Sequence, residues 1–580
     1  MRFITLLIVL SLSLTLSKEV IYGKTQKRYE RKAILSAQEL VRIRSKIRVR
    51  AVLCPKGKLL CITVGDWKFR PDRNLKNLIV RTLLEWVVTQ RFDKIIFGKG
   101  KVTLLTARSK IEKDTEFYRP LYIKDERKFI NKNFAPIVGS LLRDSLEIRY
   151  KELPYEEQEL FINTKAKELG IPAEVIESLM NSSFLFSFDI EKIDLYFLFH
   201  RTRVKKGKKK VDIYTTSITA KTLIQLRIYK FDPVKNKYFF YKRLKGQGTV
   251  THSESFPFLP VTLLHIEHIV KKLIVLSAKA SAIDLSMKLK KDDNFAIFSV
   301  VKNRDKFRVF SEVGVLEDLR IDAPFIIFRY IDGSKRRIGL LKVRKVADNC
   351  KKPRDSTFAL IKGKAEEGDL IRELPWSGVF LDLAYRRLKV EILQDEIWSG
   401  FINMNSLSIG MKSDLGFITN SPSLSEVWLS FDLFLDFGSI KVYNGEIKED
   451  FSDNFGFGGD LKLGKRFYIL NTGVYLEPSL GILYSYYALK SEKGNEASAS
   501  YISFNGHLET GFTLSHESEI FLGISQPLFK RMDIDIDVPL YTPSSPPNIM
   551  VAPQIYAGIR FSIPTTGFFS KIFAKGKKCR

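Results

Sequence analysis

The sequence has few long apolar runs, and the one that stands out lies at the amino terminus. Among its 580 residues, only Met1 to Ser17 form such a run. A membrane-spanning helix needs about 20 apolar residues, so the sequence excludes a protein with several transmembrane helices. Arg2 before the run and the small residues Thr15 and Ser17 at its end predict a secretory signal peptide over residues 1–17. The alternative is an uncleaved membrane anchor.

Glutamine and cysteine are also scarce. Nine glutamines beside abundant lysine, glutamate and isoleucine indicate a heat-adapted organism. Of the four cysteines, Cys54 and Cys61 flank a predicted turn, and their spacing allows a disulfide in an oxidising compartment or two reduced thiols. We expect Cys350 and Cys579 to be unpaired, and no cysteine spacing matches a zinc site.

Acidic residues are in short supply only in the front two-thirds of the chain. Residues 1–375 carry 76 Lys and Arg against 43 Asp and Glu, whereas residues 376–580 carry 19 against 22. Export makes nucleic acid an improbable partner, so we expect no nucleic-acid binding. The anionic partners that remain are lipid headgroups, lipopolysaccharide and cell-wall polymer. A basic surface that is merely solvated explains the excess equally well.

Motifs for catalysis or metal binding are missing. The sequence has no Gly-x-Ser-x-Gly elbow and no complete phosphate-binding loop. His265 and His268 lie three residues apart on a predicted helix, but their spacing matches no zinc-protease pattern and no third ligand is evident. We therefore predict a protein without enzymatic activity, cofactor or bound metal.

The carboxy-terminal third shows a clear two-residue alternation of apolar and polar side chains. In residues 426–438, for example, Val427, Leu429 and Phe431 alternate with Ser430 and Asp432. A period of two over more than ten residues predicts a β-strand with two unlike faces. Eight segments pass this test: about 377–389, 405–419, 426–442, 453–470, 472–489, 500–515, 518–530 and 553–563.

The polar faces of these segments hold many small residues and charges of both signs. A soluble β-sandwich would instead expose Lys, Glu and Thr on that face. Small residues with balanced charges suit the interior of a narrow barrel, where ions must pair. The predicted lumen charges are Asp382, Arg386, Lys412, Asp414, Asp432, Asp436, Asp460, Lys462, Glu477, Glu509 and Arg560.

This pattern of eight amphipathic strands resembles the small outer-membrane barrels of the outer membrane protein A and W type. The resemblance is architectural, covers about 376–565 and implies a lipid partner. Such barrels usually end on an aromatic residue, whereas here a basic aromatic tail, 566–580, follows Phe561 and Ile563. That tail could lie at a membrane surface, or it could be a frayed end.

The front of the chain divides into two further predicted parts. Residues 18–292 mix strands and helices, and 293–374 contain five short strands typical of a small SH3- or OB-like barrel. A hairpin tip between the longest strands carries the basic residues Arg201, Arg203, Lys205, Lys206, Lys208, Lys209 and Lys210, which could contact anionic headgroups or glycan.

The phrase formed by Ala359, Gly363, Gly368 and Asp369 at the end of the small barrel is similar to the carboxy-terminal module of periplasmic flagellar assembly protein T. The α/β part before it weakly resembles the curli-secretion pore protein and the amino-terminal domain of the Tol-system translocation protein. These resemblances imply a periplasmic assembly or scaffolding role and assign no functional residues.

Taken together, the sequence predicts an α+β periplasmic region, a small SH3/OB-like β-barrel and an antiparallel eight-stranded transmembrane β-barrel. The expected function is structural, in cell-envelope assembly, with lipopolysaccharide, cell wall or other envelope proteins as candidate partners. One alternative is an outer-membrane transport protein or pore for a small solute. Two others are a soluble periplasmic assembly factor and an envelope enzyme that modifies lipid A.

Overall fold

The computed structural model divides the chain into two compact units. One comprises residues 1–297, 315–318 and 565–580, and the other 298–314 and 319–564. The residues described are 33–37, 41–43, 47–55, 62–69, 72–87, 93–97, 123–136, 183–206, 209–232, 235–256, 267–331, 334–350, 352–394, 398–444, 447–490, 496–536, 548–563 and 573. The predicted signal peptide lies outside them.

The first unit is a mixed sheet with helices packed on it. Its strands are β1 (Ala33–Ala37), β2 (Val41–Ile43), β3 (Ile47–Pro55), β4 (Ile62–Phe69), β5 (Asp93–Phe97), β6 (Ser183–Lys206), β7 (Lys209–Asp232) and β8 (Lys237–Phe256). Its helices are α1 (Arg73–Val87), α2 (Ile123–Asn133) and α3 (Glu267–Leu289). Strand β6 runs parallel to β1, β2 and β3 and antiparallel to β7, which also pairs with β8.

Small residues let α3 lie unusually close to β8. A Cβ atom added to Gly248 would stand 2.1 Å from the Ser277 carbonyl oxygen, so only glycine fits there. Ser281 donates a 2.9 Å hydrogen bond to the Thr222 carbonyl of β7, which satisfies polar groups in this tight contact. The serine- and alanine-rich stretch of α3 therefore serves helix–sheet packing.

A buried polar cluster fastens α2 to the sheet. The Arg227 guanidinium on β7 forms ion pairs with Glu126 of α2 and with Asp189 of β6. Tyr229 adds a 2.9 Å hydrogen bond to the Glu126 carboxylate. Burial, followed by the Glu126 charge, raises the pKa of the Tyr229 phenol, which therefore stays protonated and donates. The sequence pattern did not predict α2.

The second unit begins with a small β module over 298–374. Its strands are β9 (Phe298–Val300), β10 (Asn303–Arg304), β11 (Arg308–Ser311), β12 (Pro324–Ile331), β13 (Ser334–Lys345), β14 (Ser356–Gly363) and β15 (Leu370–Glu373). They form an antiparallel sheet in the order β10-β11-β14-β13-β12-β15-β9. The sequence predicted five short strands here, and the described residues form seven.

The same unit ends in a closed antiparallel barrel. Its eight main strands are β16 (Val379–Gln394), β17 (Trp398–Asp414), β18 (Val427–Asn444), β19 (Ile447–Lys465), β21 (Val474–Lys490), β22 (Glu496–Ser515), β23 (Ser518–Ile536) and β25 (Gln554–Ser562). Two short strands, β20 (Phe467–Ile469) and β24 (Asn548–Val551), pair with β21 and β16. Because β16 pairs with both β17 and β25, the ring has no open edge.

The side chains of the barrel alternate as the sequence predicted. Outward positions such as Leu433, Phe457 and Ile482 are about half exposed, whereas inward polar positions are buried. The predicted strand at 405–419 was too long, because β17 ends at Asp414. There the Asp414 carboxylate accepts a 3.0 Å hydrogen bond from the Phe417 amide and starts α4 (Leu415–Thr419).

Two expectations about individual residues need correction. Cys350 takes part in a disulfide rather than being unpaired, and the Cys54–Cys61 pairing lies outside the described side chains. In the tail 566–580, Phe573 is buried against Trp86 with ring centroids 6.2 Å apart, so it does not lie at a membrane surface. Among the helices that the structure describes, none has the length and apolarity to cross a membrane.

The buried polar cluster around Arg227 provides a test of how α2 is held to the sheet. We expect Glu126→Gln to leave Arg227 short of a buried counter-charge and to destabilise the docking of α2 by about 3–5 kcal/mol. Hydrogen exchange of the amides in 123–133 would measure this as lost protection. Arg243→Gln, which changes an exposed residue of β8, is the control and should leave α2 protected. Unchanged protection in Glu126→Gln would contradict the assigned role.

Candidate functional site

The barrel lumen is the most charged interior in the described part of the chain. All eleven charges predicted to face inward are buried or nearly so, with Asp414 and Asp460 fully inaccessible. The structure gathers nine of them into two clusters inside the lumen and places Asp414 at the mouth beside Lys342. It leaves Asp436 at the far end, where its partner is the Ser406 hydroxyl.

Like charges face each other across neighbouring strands at two levels of the lumen. Glu477 of β21 stands directly opposite Glu509 of β22, an arrangement that is destabilising on its own. Lys412 reaches both carboxylates from β17 on the opposite wall, with Nζ–Oε1 distances of 2.6 Å to Glu477 and 3.0 Å to Glu509. The lysine therefore compensates the two acids and links opposite sides of the barrel.

The second level repeats this arrangement. Asp432 of β18 stands opposite Asp460 of β19. The Lys462 ammonium lies 2.5 Å from the Asp432 carboxylate and 3.9 Å from that of Asp460. Arg386 of β16 adds a 3.3 Å contact to Asp460. The lumen thus holds acids on adjacent strands and fills the space between them with cations.

Arg560 is the residue with the most partners in this network. Its guanidinium contacts Asp382 at 3.0 Å, Glu509 at 2.7 Å and Glu519 at 3.4 Å. It also donates a 2.8 Å hydrogen bond to the Tyr475 hydroxyl. Asp382 and Glu519 are its direct cross-strand neighbours. A single guanidinium from β25 therefore pairs with carboxylates on three other strands.

Two members of the network were missed in the sequence. Arg466, between β19 and β20, lies 3.0 Å from Glu477 and 2.7 Å from Glu519. Glu519 shares the inward parity of Phe521 and Gly523, so the alternation of β23 could have identified it. Arg466 shares the parity of Asp460 and Lys462 within the predicted segment 453–470, so the alternation could have identified it as well.

Two inward polar side chains of β22, beside the Asp432 and Asp460 level, are less densely bonded. Asn505 and His507 are buried, and among the described residues neither side chain has a hydrogen-bond partner. The His507 ring packs edge-on against Tyr556, with centroids 6.4 Å apart, and its Nε2 lies 3.9 Å from the Asp460 carboxylate.

The β module closes the other end of the barrel with a second charge cluster. Lys342 of β13 extends to Glu426, 3.0 Å away, and to Asp414 at 3.5 Å. Burial alone would lower the pKa of Lys342, but Glu426 outweighs it and holds that pKa above its usual range. Arg344 lies 2.8 Å from the same Glu426 and also pairs with Asp322. The module therefore contributes the cations of a separate charge cluster at the mouth.

Backbone contacts add to this closure. The Gly363 amide donates a 2.9 Å hydrogen bond to the Asn471 carbonyl, and the Gly473 amide donates one of 3.0 Å to Ile361. The space left between module and barrel, beside Lys342 and Tyr468, measures only about 10 Å³. A cavity of that size barely holds one water molecule. The module and the barrel mouth are thus in close contact.

The structure also describes the strands of the basic hairpin and one of the two predicted helix histidines. The basic tip forms a hairpin in which Lys206 pairs with Lys209, but the side chains of 201–210 lie outside the description. His268 is exposed on α3. The described residues contain no group of three or more His, Cys, Asp or Glu side chains that could hold a metal ion.

Comparisons with known proteins add little. No family model matches the sequence, and no curated protein matches it. Solved structures similar to this chain include Neisserial surface protein A, with 10% identity over 32% of this chain and 98% of that one and a TM-score of 0.23. Ail of Yersinia pestis matches at 12%, over 32% and 99%, with a TM-score of 0.20. TM-scores this low support no inference about this chain. The evidence for the closed barrel is its own strand pairing.

The bridge at Glu477 and Glu509 provides a test of the lumen network. We expect Lys412→Met to leave two facing carboxylates without their shared cation and to cost about 3–5 kcal/mol. Urea unfolding in detergent micelles, followed by the loss of heat-modifiable gel migration, would measure the change. Lys530→Met, at an exposed position of β23, should leave the midpoint unchanged. Equal midpoints for the two variants would contradict the assigned bridge.

The closure of the mouth provides a second test. We expect Lys342→Met to loosen the module from the barrel, because Glu426 and Asp414 lose a buried cation. Limited proteolysis after 374, compared between folded samples, would report faster cleavage. Lys345→Met changes an exposed lysine on the same strand and should cleave at the wild-type rate. Identical cleavage rates for Lys342→Met and the wild type would contradict the assigned role of Lys342 in holding the module to the barrel.

Proposed function

We propose that this protein is a structural component of the cell envelope, anchored in the outer membrane by a sealed barrel. The observation that carries the proposal is the set of buried ion-pair clusters that fill the barrel from the mouth beside the module through the lumen. Lys412, Arg466 and Arg560 each join strands on different sides of the barrel. A wide aqueous pore would need this space, so an anchor fits the interior better than a channel.

The outer wall supports a membrane location. Many outward side chains on the eight main strands are Leu, Ile, Phe and Tyr that stay about half exposed, including Leu407, Leu435, Leu480 and Phe561. A wall of this composition is costly in water and suits hydrocarbon. Every strand is long enough to cross the roughly 25 Å apolar band of an outer membrane. The polar interior and the absence of an edge complete the requirements for a spanning sheet.

The topology supports a periplasmic location for the parts that precede the barrel. With eight antiparallel main strands, the start of β16 and the end of β25 lie at the same end of the barrel, where Phe380 pairs with Ser562. The module contacts that end through Lys342 and Arg344. Placing this end in the periplasm puts the module there, and the proposed scaffold for envelope proteins, lipopolysaccharide or cell wall comprises the module and the α/β region that precedes it in the chain.

The described polar residues also support a non-enzymatic role. The carboxylates of the lumen and mouth are engaged by Lys or Arg, or, for Asp436, by a serine hydroxyl. Lysines and arginines committed to ion pairs are poor candidates for proton transfer, because both states of a catalytic group must be accessible. The proposed function therefore assigns these side chains to holding the barrel together.

Membrane reconstitution tests the sealed anchor. We expect the full-length protein to be extracted only with detergent, to show heat-modifiable migration, and to give no stable current steps in planar bilayers. Stable single-channel steps would favour the transport alternative. Extraction by salt alone would favour a soluble periplasmic factor.

Photo-crosslinking in intact cells tests the scaffold. A crosslinker placed at Tyr330, which is 60% exposed on the module, should form adducts with other envelope proteins or with glycan. The matched position Leu435, on the outer wall of the barrel, should form adducts with lipid. A module position without macromolecular adducts would contradict the scaffold role.

A further inference from the structure

The outer wall of the barrel contains a groove of about 620 Å³. It crosses three neighbouring strands, β19, β21 and β22, and reaches β23. Among the residues that line it are Leu463, Lys465, Pro478, Leu480, Gly506 and Leu508. The side chains at these positions point away from the lumen, so the groove opens toward the surroundings of the barrel, and the lumen residue His507 also borders it.

A proline interrupts the sheet at this place. The ladder between β19 and β21 stops at Gly464 and Ser479 and resumes only with Phe467 and Leu476 of β20 and β21. Pro478 lies in the gap and has no N–H to donate, so a ladder bond is missing there. The wall therefore has an indentation at one level instead of a continuous row of paired strands.

A glycine and a bulge deepen the indentation. Gly506 faces outward in the row that joins Leu480 to Gln526. Beside it the pairing of β22 and β23 shifts register, so that Leu528 is left over between Pro527 and Phe529. A Cβ added to Gly506 would meet only Leu528, at 3.8 Å. Gly506 thus leaves open space where other outward positions carry large side chains.

The ends of the groove differ in chemistry. Lys465 is the last residue of β19, is exposed, and pairs with Val427 at the end of the barrel that the module closes. From there the lining continues through apolar side chains such as Leu463, Leu480 and Leu508. A cation at the membrane surface followed by an apolar channel complements a molecule with an anionic head and a hydrocarbon tail.

We propose that this groove is a binding site for one anionic phospholipid of the leaflet on the module side. Its phosphate pairs with the Lys465 ammonium, and one acyl chain lies between Pro478 and Ile524 over Gly506. The proposal rests on the proposed membrane location of the barrel. Because hydrocarbon surrounds the wall everywhere, selectivity comes from the shape of the groove and from the lysine charge, not from hydrophobic burial alone.

Native mass spectrometry of the full-length protein in detergent tests the site. The probes are phosphatidylglycerol and phosphatidylcholine with identical acyl chains, added in equal amounts. We expect the wild type to retain one phosphatidylglycerol in preference to phosphatidylcholine. Lys465→Gln should reduce that preference by about fivefold, the effect of one basic residue near an anionic headgroup. Gly506→Leu should fill the groove and lower retention of both lipids.

A matched control separates this site from the general lipid shell. Gly459 is also an outward glycine, on β19, and a Cβ there would meet only atoms 3.5 Å away or more. Gly459→Leu should retain lipid like the wild type. Equal losses in Gly459→Leu and Gly506→Leu, or an unchanged headgroup preference in Lys465→Gln, would overturn the proposal.

Heat-modifiable migration of each variant shows whether the barrel is folded. A folded barrel that fails these lipid tests contradicts the groove site alone. A wild type that does not form a heat-modifiable barrel in detergent contradicts the membrane anchor itself. The two failures are therefore distinguishable.

Discussion

The structure depends on one electrostatic constraint: charges enclosed by a narrow barrel must be neutralised by each other. Acids face acids across neighbouring strands, at Glu477 with Glu509 and at Asp432 with Asp460. Each pair is stable only because a lysine lies between its members. The cost of removing a charge from water is large, and only close opposite charges offset it. The positions of Lys412 and Lys462 are therefore what allow this polar interior to exist.

This constraint connects the fold to the function we propose. A cation that bridges opposite walls fixes the distance between them and occupies the lumen at the same time. Rigidity and closure therefore have a common cause, and an anchor requires both. At the mouth, Lys342 and Arg344 apply the same principle between the module and Glu426. The module is thereby held to the barrel by buried charges as well as by backbone hydrogen bonds.

The sequence predicted most of the barrel strands but few of the ion pairs that form between them. Alternation identifies a β-strand because its side chains point to opposite faces, and so all eight main strands and their inward charges could be read directly. It could not show that Lys412 reaches across to β21, because such contacts depend on ring closure. Helix α4 follows the end of β17, where a local turn overrides the period. Helix α2 depends on a buried contact with Arg227 that is distant in sequence.

The most direct test of the account is the environment of alternate residues on one strand. Spin labels introduced singly along β18, at 431, 433 and 435 and at 430, 432 and 436, would be compared in lipid vesicles for collision with oxygen and with a water-soluble nickel complex. The account predicts that the odd-numbered labels are accessible to oxygen in the lipid and protected from nickel, and that the even-numbered labels are poorly accessible to both. Odd-numbered labels that collide freely with the nickel complex would contradict a membrane-spanning barrel.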